Sequence, residues 1–335
     1  RGVVNLIAGV GQKENAPTIL WNAHVDVVPP GDAVRWDYPP FHATKVGEYV
    51  YGRGTSDAKS GLAAMMYALK ELKKTEDTLP GKIQLMISGA EENGSEHGTV
   101  AILEHTQERY AAAIVAEPSD MCIEIAQRGL RWLELKVHGI ASHGARPHLG
   151  VNAISQCGKI MRALEELDFE DKNPLFEQEI KGTTISVNKI HGGIQNNIIP
   201  EDCRMVLDCR MMPGQTPQRL YRVIRETAEE VVDKRCQMEY NALGAGWDAF
   251  ILNESEPIVQ VVQKAYKKVH GKEAVLRGKS GCTDASHIYS RNIPVVVFGP
   301  GDPNESHSGN EKVNFRNVLE MVDILCDSAK NFFVL

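Results

Sequence analysis

The sequence predicts an α/β protein that is interrupted by a second domain. Short apolar strands followed by helical patterns occur at both ends of the 335-residue chain, in residues 1–128 and 242–335. The residues between them, 129–241, instead follow the order β-α-β-β-α-β. That order is the split pattern of a ferredoxin-like α+β domain. We therefore expect the two outer segments to form one domain and the middle segment to be inserted into it.

The composition is that of a globular protein with a large core. Of the residues 42% are hydrophobic and 24% are charged, and the net charge is -7. No Lys/Arg run is long enough to predict a nucleic-acid surface, and no apolar run approaches the ~18 residues of a transmembrane helix. The seven cysteines are scattered without a CxxC motif, which favours reduced thiols and a cytoplasmic location. We expect neither nucleic acid nor membrane as a partner.

The first strands are predicted at residues 3–8 and 18–28. Because Arg1 stands so close to a strand, we expect the N-terminus to be incomplete. The second strand carries His24 and Asp26, and residues two apart on a strand point to the same side. A histidine whose other ring nitrogen is held by a carboxylate is a well-oriented metal ligand.

The stretch 51–72 organises the first domain. A glycine-rich turn leads to Asp57, and a helical pattern follows at once. Asp57 therefore lies where a loop becomes a helix, so it can either cap the helix or bind one metal with each oxygen. The helix residues expected to face the core are Leu62, Met65, Met66, Leu69 and Leu72.

Acidic and imidazole side chains recur just beyond the predicted strand ends. Open α/β sheets bind their ligands at the carboxyl ends of the strands. Unrelated surface acids would not favour strand ends, so we expect these side chains to meet in one site. They are His24, Asp26, Asp57, Glu91, Glu92, Glu117 and His307.

Two imidazoles and three carboxylates suit two borderline metals with one shared ligand. The candidate ligands are His24, Asp57, Glu92, Glu117 and His307. Symmetry places Asp57 across both metals, and two metals ~3.5–4 Å apart can activate one water and polarise a carbonyl. Glu91 is then left without a metal, and we expect it to move a proton from that water to a leaving nitrogen.

Five runs of the chain resemble the metal-site motifs of the di-zinc amidohydrolase family of acetylornithine deacetylase, succinyl-diaminopimelate desuccinylase and glutamate carboxypeptidase. The runs are HVDVVP, GRGTSDAKSG, SGAEENGS, AEPSD and GPG…SHSGNE. The resemblance covers essentially the whole chain. It implies a zinc-peptidase-like α/β/α catalytic domain and an inserted ferredoxin-like domain that forms a lid and a homodimer. It also implies two Zn²⁺ per protomer, with Co²⁺ or Mn²⁺ able to substitute.

The resemblance also implies which ligands share a metal. His24 and Glu117 would bind one zinc, Glu92 and His307 the other, and Asp57 would bridge them. Glu117 lies in an AEPS context, which resembles the deacetylase and desuccinylase branch more than the dipeptidases.

Further roles follow for residues near the ligands and in the insert. Asp26 would orient His24, and Glu91 would be the general base. The run GIASHGARPHLGVNA resembles a motif whose histidine helps to bind the oxyanion from the partner subunit, which corresponds to His143.

Three residues are candidates for substrate binding. The runs GGIQNNIIPEDC and DCRMMPG resemble segments that supply an Asn and an Arg for the substrate, which correspond to Asn197 and Arg210. A surface position on a strand is the alternative for Arg210. Thr283 lies in a loop that either faces the substrate or caps a short helix.

The sequence therefore predicts a zinc-dependent hydrolase of amino-acid biosynthesis that cleaves the amide bond of a small N-acyl amino acid. Two alternatives remain open. A carboxypeptidase or dipeptidase that acts on short peptides would use the same metal site and differ in the lid pocket. A catalytically inactive dimeric relative would serve as a binding protein.

Overall fold

The computed structural model describes residues 2–11, 16–177, 179–180 and 182–334. The chain divides into two compact units, Arg1–Gln127 with Ile251–Leu335, and Arg128–Phe250. The chain returns to the first unit at Ile251 rather than at residue 242, because the last strand of the second unit continues to Trp247. No helix among the described residues combines the length and apolar character needed to cross a membrane.

Strands and helices alternate through much of the chain. The strands are β1 (Leu6–Val10), β2 (Thr18–His24), β3 (Thr44–Val46), β4 (Tyr49–Tyr51), β5 (Lys82–Ser88), β6 (Tyr110–Val115), β7 (Ile123–Gln127), β8 (Gly129–His138), β9 (Ser142–His143), β10 (Thr184–Gly192), β11 (Ile198–Ile199), β12 (Asp202–Met211), β13 (Gln237–Trp247), β14 (Phe250–Ile251), β15 (Leu276–Lys279), β16 (Val295–Val297) and β17 (Lys312–Asn314). The helices are α1 (Lys59–Lys73), α2 (Ala101–His105), α3 (Ala153–Glu165), α4 (Pro217–Val231), α5 (Pro257–His270), α6 (Ala285–Tyr289) and α7 (Phe315–Phe332).

The main sheet explains why the acidic strand ends meet. Its order is β1-β5-β2-β6-β16-β7-β14, with β15 beside β7. The neighbours β5, β2, β6 and β16 run parallel to one another, so their carboxyl ends lie at one edge. His24 is the last residue of β2 and therefore lies at that edge.

Helix α1 packs against β2 and β5. Leu62, Met65 and Leu72 are buried as expected, but Met66 is 53% exposed, so its predicted core position is wrong. Successive helix residues are ~100° apart, and the buried stripe passes through Met65 and not through its neighbour. Gly61 brings the start of this helix close to the end of β6, because a Cβ there would lie 2.7 Å from the Cβ of Ala116.

The second unit is a four-stranded antiparallel sheet in the order β10-β12-β8-β13. Helices α3 and α4 pack against each other, and their buried residues share one core with the strands. Apart from the two-residue strands β9 and β11, which pair with each other, the chain order β8-α3-β10-β12-α4-β13 confirms the expected β-α-β-β-α-β pattern. Asn152 and Thr216 begin the two helices, and each side chain accepts a hydrogen bond from a backbone N–H of the first turn.

Candidate metal centre

His24 is fixed at the end of β2 with one ring nitrogen directed at carboxylates. Its side chain is buried, and Nδ1 lies 3.0 Å from the backbone carbonyl oxygen of Asp26 and 3.6 Å from Oδ1 of that residue. A carbonyl oxygen only accepts, so Nδ1 donates to it, and Nε2 is the nitrogen that faces the carboxylates. Nε2 lies 3.1 Å from Asp57 Oδ1 and 3.4 Å from Glu117 Oε1. Loss of the proton on Nε2 would leave the imidazole in the tautomer that a metal ligand requires.

Asp57 lies between two imidazoles. Its Oδ1 is 3.1 Å from Nε2 of His24, and its Oδ2 is 3.4 Å from Nε2 of His307. It does not cap helix α1, because Ala58 occupies the cap position and no side chain accepts a hydrogen bond there. Because each oxygen faces a different imidazole, this carboxylate can bridge two cations.

The possible ligand atoms form two groups, within each of which they lie no more than 4.8 Å apart. The groups are His24, Glu91 and Glu117, and Asp57, Glu92 and His307. The distance from His307 Nε2 to the Glu92 carboxylate is 3.2 Å. Glu91 lies within the first group, beside the ligands rather than away from them.

Asp26 holds the turn that carries both glutamates. Ala90 adopts a left-handed conformation with φ of 68°, so the chain turns directly after β5. The N–H groups of Glu91 and Glu92 then donate to Oδ1 and Oδ2 of Asp26 at 3.2 and 3.1 Å. Beyond the predicted orientation of His24, the Asp26 carboxylate thus fixes the backbone of two other site residues.

Burial, together with neighbouring carboxylates, raises the pKa values of the three glutamates. Burial raises the pKa of Glu117 to about 8. The nearby His24 opposes this rise, and the charge of Asp57 adds to it. Burial and the charges of Glu117 and Asp284 raise the pKa of Glu91 well above its ordinary value. Burial and the charge of Asp57 raise the pKa of Glu92.

The pKa values of the two aspartates, Asp26 and Asp57, are lowered, whereas the pKa of the His24 imidazole is raised. Burial lowers the pKa of His24, but Glu117 and the hydrogen bonds to Asp26 and Asp57 outweigh it, so the net pKa is well above the usual value. Burial raises the pKa values of Asp26 and Asp57, but their contacts with His24 prevail and hold both below the ordinary range.

This donor set fits divalent borderline metals. It combines imidazole nitrogens with carboxylate oxygens, the donors that zinc accepts in hydrolytic sites. Burial and neighbouring carboxylates raise the pKa values of Glu91 and Glu117, so bound cations would stabilise their ionised forms. His24, Asp57, Glu92, Glu117 and His307 are the residues that could hold them.

The second unit brings together the predicted oxyanion histidine, His143, and the substrate candidate Asn197. Strand β9 pairs with β11, which sets His143 opposite Ile198. The N–H of Gly144 donates to the backbone oxygen of Asn197 at 2.7 Å. His143 is exposed, and its Nδ1 accepts the N–H of Ala145 at 3.0 Å.

Arg210 and Thr283 have protein partners in the structure. Nε and Nη2 of Arg210 donate to Asp208 at 2.7 and 3.2 Å. Thr283 is buried, and its hydroxyl donates to Gln127 Oε1 at 2.6 Å and accepts the N–H of Ala285 at 3.2 Å. Substrate binding by these two residues stays a prediction.

Two buried carboxylates lie near the site: Asp284, whose loop the sequence suggests either faces the substrate or caps a helix, and Glu311, to which sequence reasoning assigned no role. Asp284 is 1% exposed, and the hydroxyls of Ser88 and Thr99 donate to its Oδ2 at 2.9 and 2.6 Å. Glu311 is fully buried and follows His307 by four residues in the run SHSGNE. An acidic residue within a run already suspected of metal binding was the available signal.

The comparisons with known sequences agree on one family. The sequence profile of peptidase family M20/M25/M40 matches residues 20–331. A succinyl-diaminopimelate desuccinylase of Paracoccus denitrificans is 31% identical over 307 residues, which cover 89% of this chain and 78% of that protein. A succinyl-diaminopimelate desuccinylase of Wolbachia pipientis subsp. Culex pipiens is 31% identical over 327 residues, or 95% of this chain and 79% of that protein.

Solved structures share the fold. An M20 family metallo-carboxypeptidase from Sulfolobus solfataricus superposes with a TM-score of 0.79 at 20% identity, covering 99% of this chain and 88% of that one. A dinuclear metal-binding M20 peptidase of Bacillus subtilis gives 0.74 at 17% identity, covering 97% and 84%. At such low sequence identities the similarity establishes a shared fold and no shared activity. Because the family profile spans nearly the whole sequence, the chain belongs to peptidase family M20/M25/M40.

Proposed function

We propose that this protein is a metal-dependent amidohydrolase that cleaves the amide bond of an N-acyl amino acid, with N-succinyl diamino acids as the preferred class. The observation that carries the proposal is the position of Asp57, whose two oxygens face His24 and His307 separately. Relatives that are 31% identical over most of the chain are named succinyl-diaminopimelate desuccinylases, which supports the succinyl group.

The proposed metal is zinc, with two ions per protomer. His24 and Glu117 would hold one ion, Glu92 and His307 the other, and Asp57 both. The mixture of imidazole and carboxylate donors supports zinc, and Co²⁺ or Mn²⁺ would suit the same donors. Zinc bound here would supply Lewis-acid polarisation of the amide carbonyl and would acidify water.

Glu91 is the proposed general base and acid. It lies in the same group as His24 and Glu117, and its raised pKa brings it closer to neutral pH, where a carboxylate both takes and returns a proton efficiently. Its carboxylate takes one proton from the attacking water and passes it to the leaving nitrogen. The second proton of the water passes from the new carboxyl group to the amine, so one amide and one water become a carboxylate and an ammonium group.

The second unit is proposed to bind the substrate in a cytosolic homodimer. His143 would stabilise the oxyanion across the dimer, and Asn197 would bind the substrate beside it; the pairing of β9 with β11 supports a joint role. Arg210 would bind a substrate carboxylate, and Thr283 would line the site. No disulfide joins the seven cysteines in the described part of the chain, which supports a reducing compartment.

The test is a substrate panel with zinc-loaded protein. It comprises N-succinyl-diaminopimelate, N-acetylornithine, other acyl-amino acids and dipeptides, because solved relatives of the same fold include a carboxypeptidase and a dipeptidase. We expect the highest kcat/KM for the succinyl substrate. A higher value for dipeptides would favour the peptidase alternative, and no turnover of any compound by the metal-loaded protein would favour an inactive binding protein.

A further inference from the structure

The carboxylate of Glu311 is surrounded by donors from the loop that carries Asp57. Its side chain is 0% exposed. Oε2 accepts Nη1 of Arg53 at 2.5 Å and the N–H of Gly54 at 3.0 Å. Oε1 accepts the N–H groups of Ser56 and Asp57 at 2.8 and 3.0 Å. Both oxygens therefore bind two donors each, all from one turn of the chain.

The glycines of this turn make the arrangement possible. Gly52 and Gly54 have positive φ values of 154° and 85°, conformations that other residues rarely adopt. The chain therefore curls so that the N–H groups of Gly54, Ser56 and Asp57 converge on one anion. Backbone N–H groups that converge in this way form an anion-binding concavity, and here the anion is the protein's own Glu311.

We propose that Glu311 is a positioning residue that sets the carboxylate of Asp57 between the two imidazoles. The inference rests on the proposed function, because it takes Asp57 to be a metal ligand. The hydrogen bond from the N–H of Asp57 to Oε1 fixes the backbone from which the bridging carboxylate projects. The same short segment, residues 307–311, carries the imidazole that faces Asp57 Oδ2, so the anchor and one ligand move together.

The guanidinium of Arg53 forms a buried ion pair with Glu311. Arg53 is 6% exposed, and its guanidinium lies 5.3 Å from the centre of the Trp36 ring. The Arg53 guanidinium is thus held between the Glu311 carboxylate and the Trp36 ring. A charged carboxylate is the stronger acceptor for backbone N–H groups, so the pair supports the hold on the loop. Glu311 itself has no atom among the ligand groups, and it acts only through Asp57.

The experiment measures binding of zinc alone in E311Q. Glutamine keeps the size of the side chain but replaces one accepting oxygen with an NH₂ group, which cannot accept the loop N–H groups. We expect zinc affinity, measured by chelator competition, to fall about 10–100-fold, as is usual for partners of ligands. We expect kcat to fall while KM changes by less than about threefold, because the loss lies in the metal site rather than in substrate contacts.

D171N is the matched control. Asp171 also fixes a loop, since it accepts the N–H and the hydroxyl of Thr183, but it lies in the second unit and holds no proposed ligand. We expect D171N to bind zinc as the wild type does. An equal loss of zinc affinity in D171N would show that the E311Q effect reflects a general loss of structural stability, and it would overturn the proposal.

E311D provides the second test if E311Q does not fold. Aspartate keeps the charge but is shorter by one methylene group, so the loop must shift to reach it. We expect folded E311D to lose zinc affinity less than E311Q and more than D171N. Wild-type zinc affinity in a folded E311Q or E311D protein overturns the proposal, and so does a wild-type protein that binds no zinc. A wild-type protein that binds zinc but cleaves no amide refutes the proposed function and leaves this test intact.

Discussion

The carboxylate of Asp26 accepts a hydrogen bond from the backbone N–H of Glu91 at 3.2 Å. Its other oxygen accepts the N–H of Glu92 at 3.1 Å, and its backbone carbonyl faces Nδ1 of His24. Asp26, a single residue in the loop that follows β2, therefore positions side chains at the ends of two neighbouring strands. Any change at Asp26 should disturb metal binding and proton transfer together.

We expect D26N to lower both zinc affinity and kcat by about 10–100-fold. Asparagine offers one accepting oxygen where two N–H groups need acceptors, and it removes the negative charge beside His24. Zinc titration and steady-state kinetics measure the two effects. The control is D32N, because Asp32 caps an exposed turn, where asparagine serves equally well. Full zinc affinity together with full turnover in D26N would contradict the proposed role.

The variant E91Q should retain zinc and lose nearly all turnover. Glutamine cannot take a proton from water, and general acid–base catalysis contributes about 10²–10⁴-fold. Metal analysis and kcat on the best substrate of the panel provide the measurement. E96Q is the control, because Glu96 is an exposed residue of the same segment. Activity of E91Q close to that of E96Q would show that another group moves the proton.

Zinc binding should release protons near neutral pH. The pKa of Glu117 is about 8 without metal, so at pH ~7 this carboxyl group is largely protonated, and a metal ligand must lose its proton. The raised pKa of His24 adds a second proton. Affinity should therefore increase by about tenfold or more per pH unit between pH ~6 and ~8. Calorimetry in buffers of different ionisation enthalpy counts the protons, and an affinity independent of pH would contradict the expectation.

The same shifts make the metal-free protein less stable as the pH rises. Glu117 has an ordinary pKa of 4.5 and a folded pKa of about 8, so the folded protein keeps a proton that the unfolded chain releases. The stabilisation is complete below the lower value and is lost as the pH rises through the higher one. We expect chelator-treated protein to melt at a lower temperature at pH ~8 than at pH ~6. Added zinc should raise the melting temperature at pH ~8 again, because it binds the folded protein. E117Q should remove most of this dependence, since glutamine does not titrate; a dependence that persists unchanged in E117Q would assign it to other groups.

Replacing His143 with alanine should reduce turnover and leave zinc binding intact. A single donor to an oxyanion is typically worth about 10²–10³-fold in kcat. Zinc analysis, kcat and KM test the expectation, with H148A as the control, because His148 is exposed in the same loop region. Normal kinetics in H143A would remove the proposed role across the dimer. Mixing H143A with an E91Q variant should restore part of the activity if the histidine acts on the partner's site.

Particular elements show how much could be predicted from the sequence. The parallel order of β5, β2 and β6 follows from short apolar strands between helices, and this order accounts for the meeting of His24, Glu92 and Glu117. The exposure of Met66 was not predictable in the same way. An apolar pattern at helical spacing identifies a helix, but the neighbour that the helix packs against decides which apolar residues are buried.

The sequence by itself determined which side chains could meet, because the hydrophobic pattern shows where strands and helices begin and end. A strand that follows a helix in an α/β sheet runs parallel to the strand before that helix. Only the tertiary structure decided how they divide the work. The separate contacts of the two Asp57 oxygens, the second role of Asp26 and the hold of Glu311 on the loop are hydrogen bonds between residues distant in the chain. Such bonds depend on rotamers and loop paths, which the packing of the whole first unit fixes.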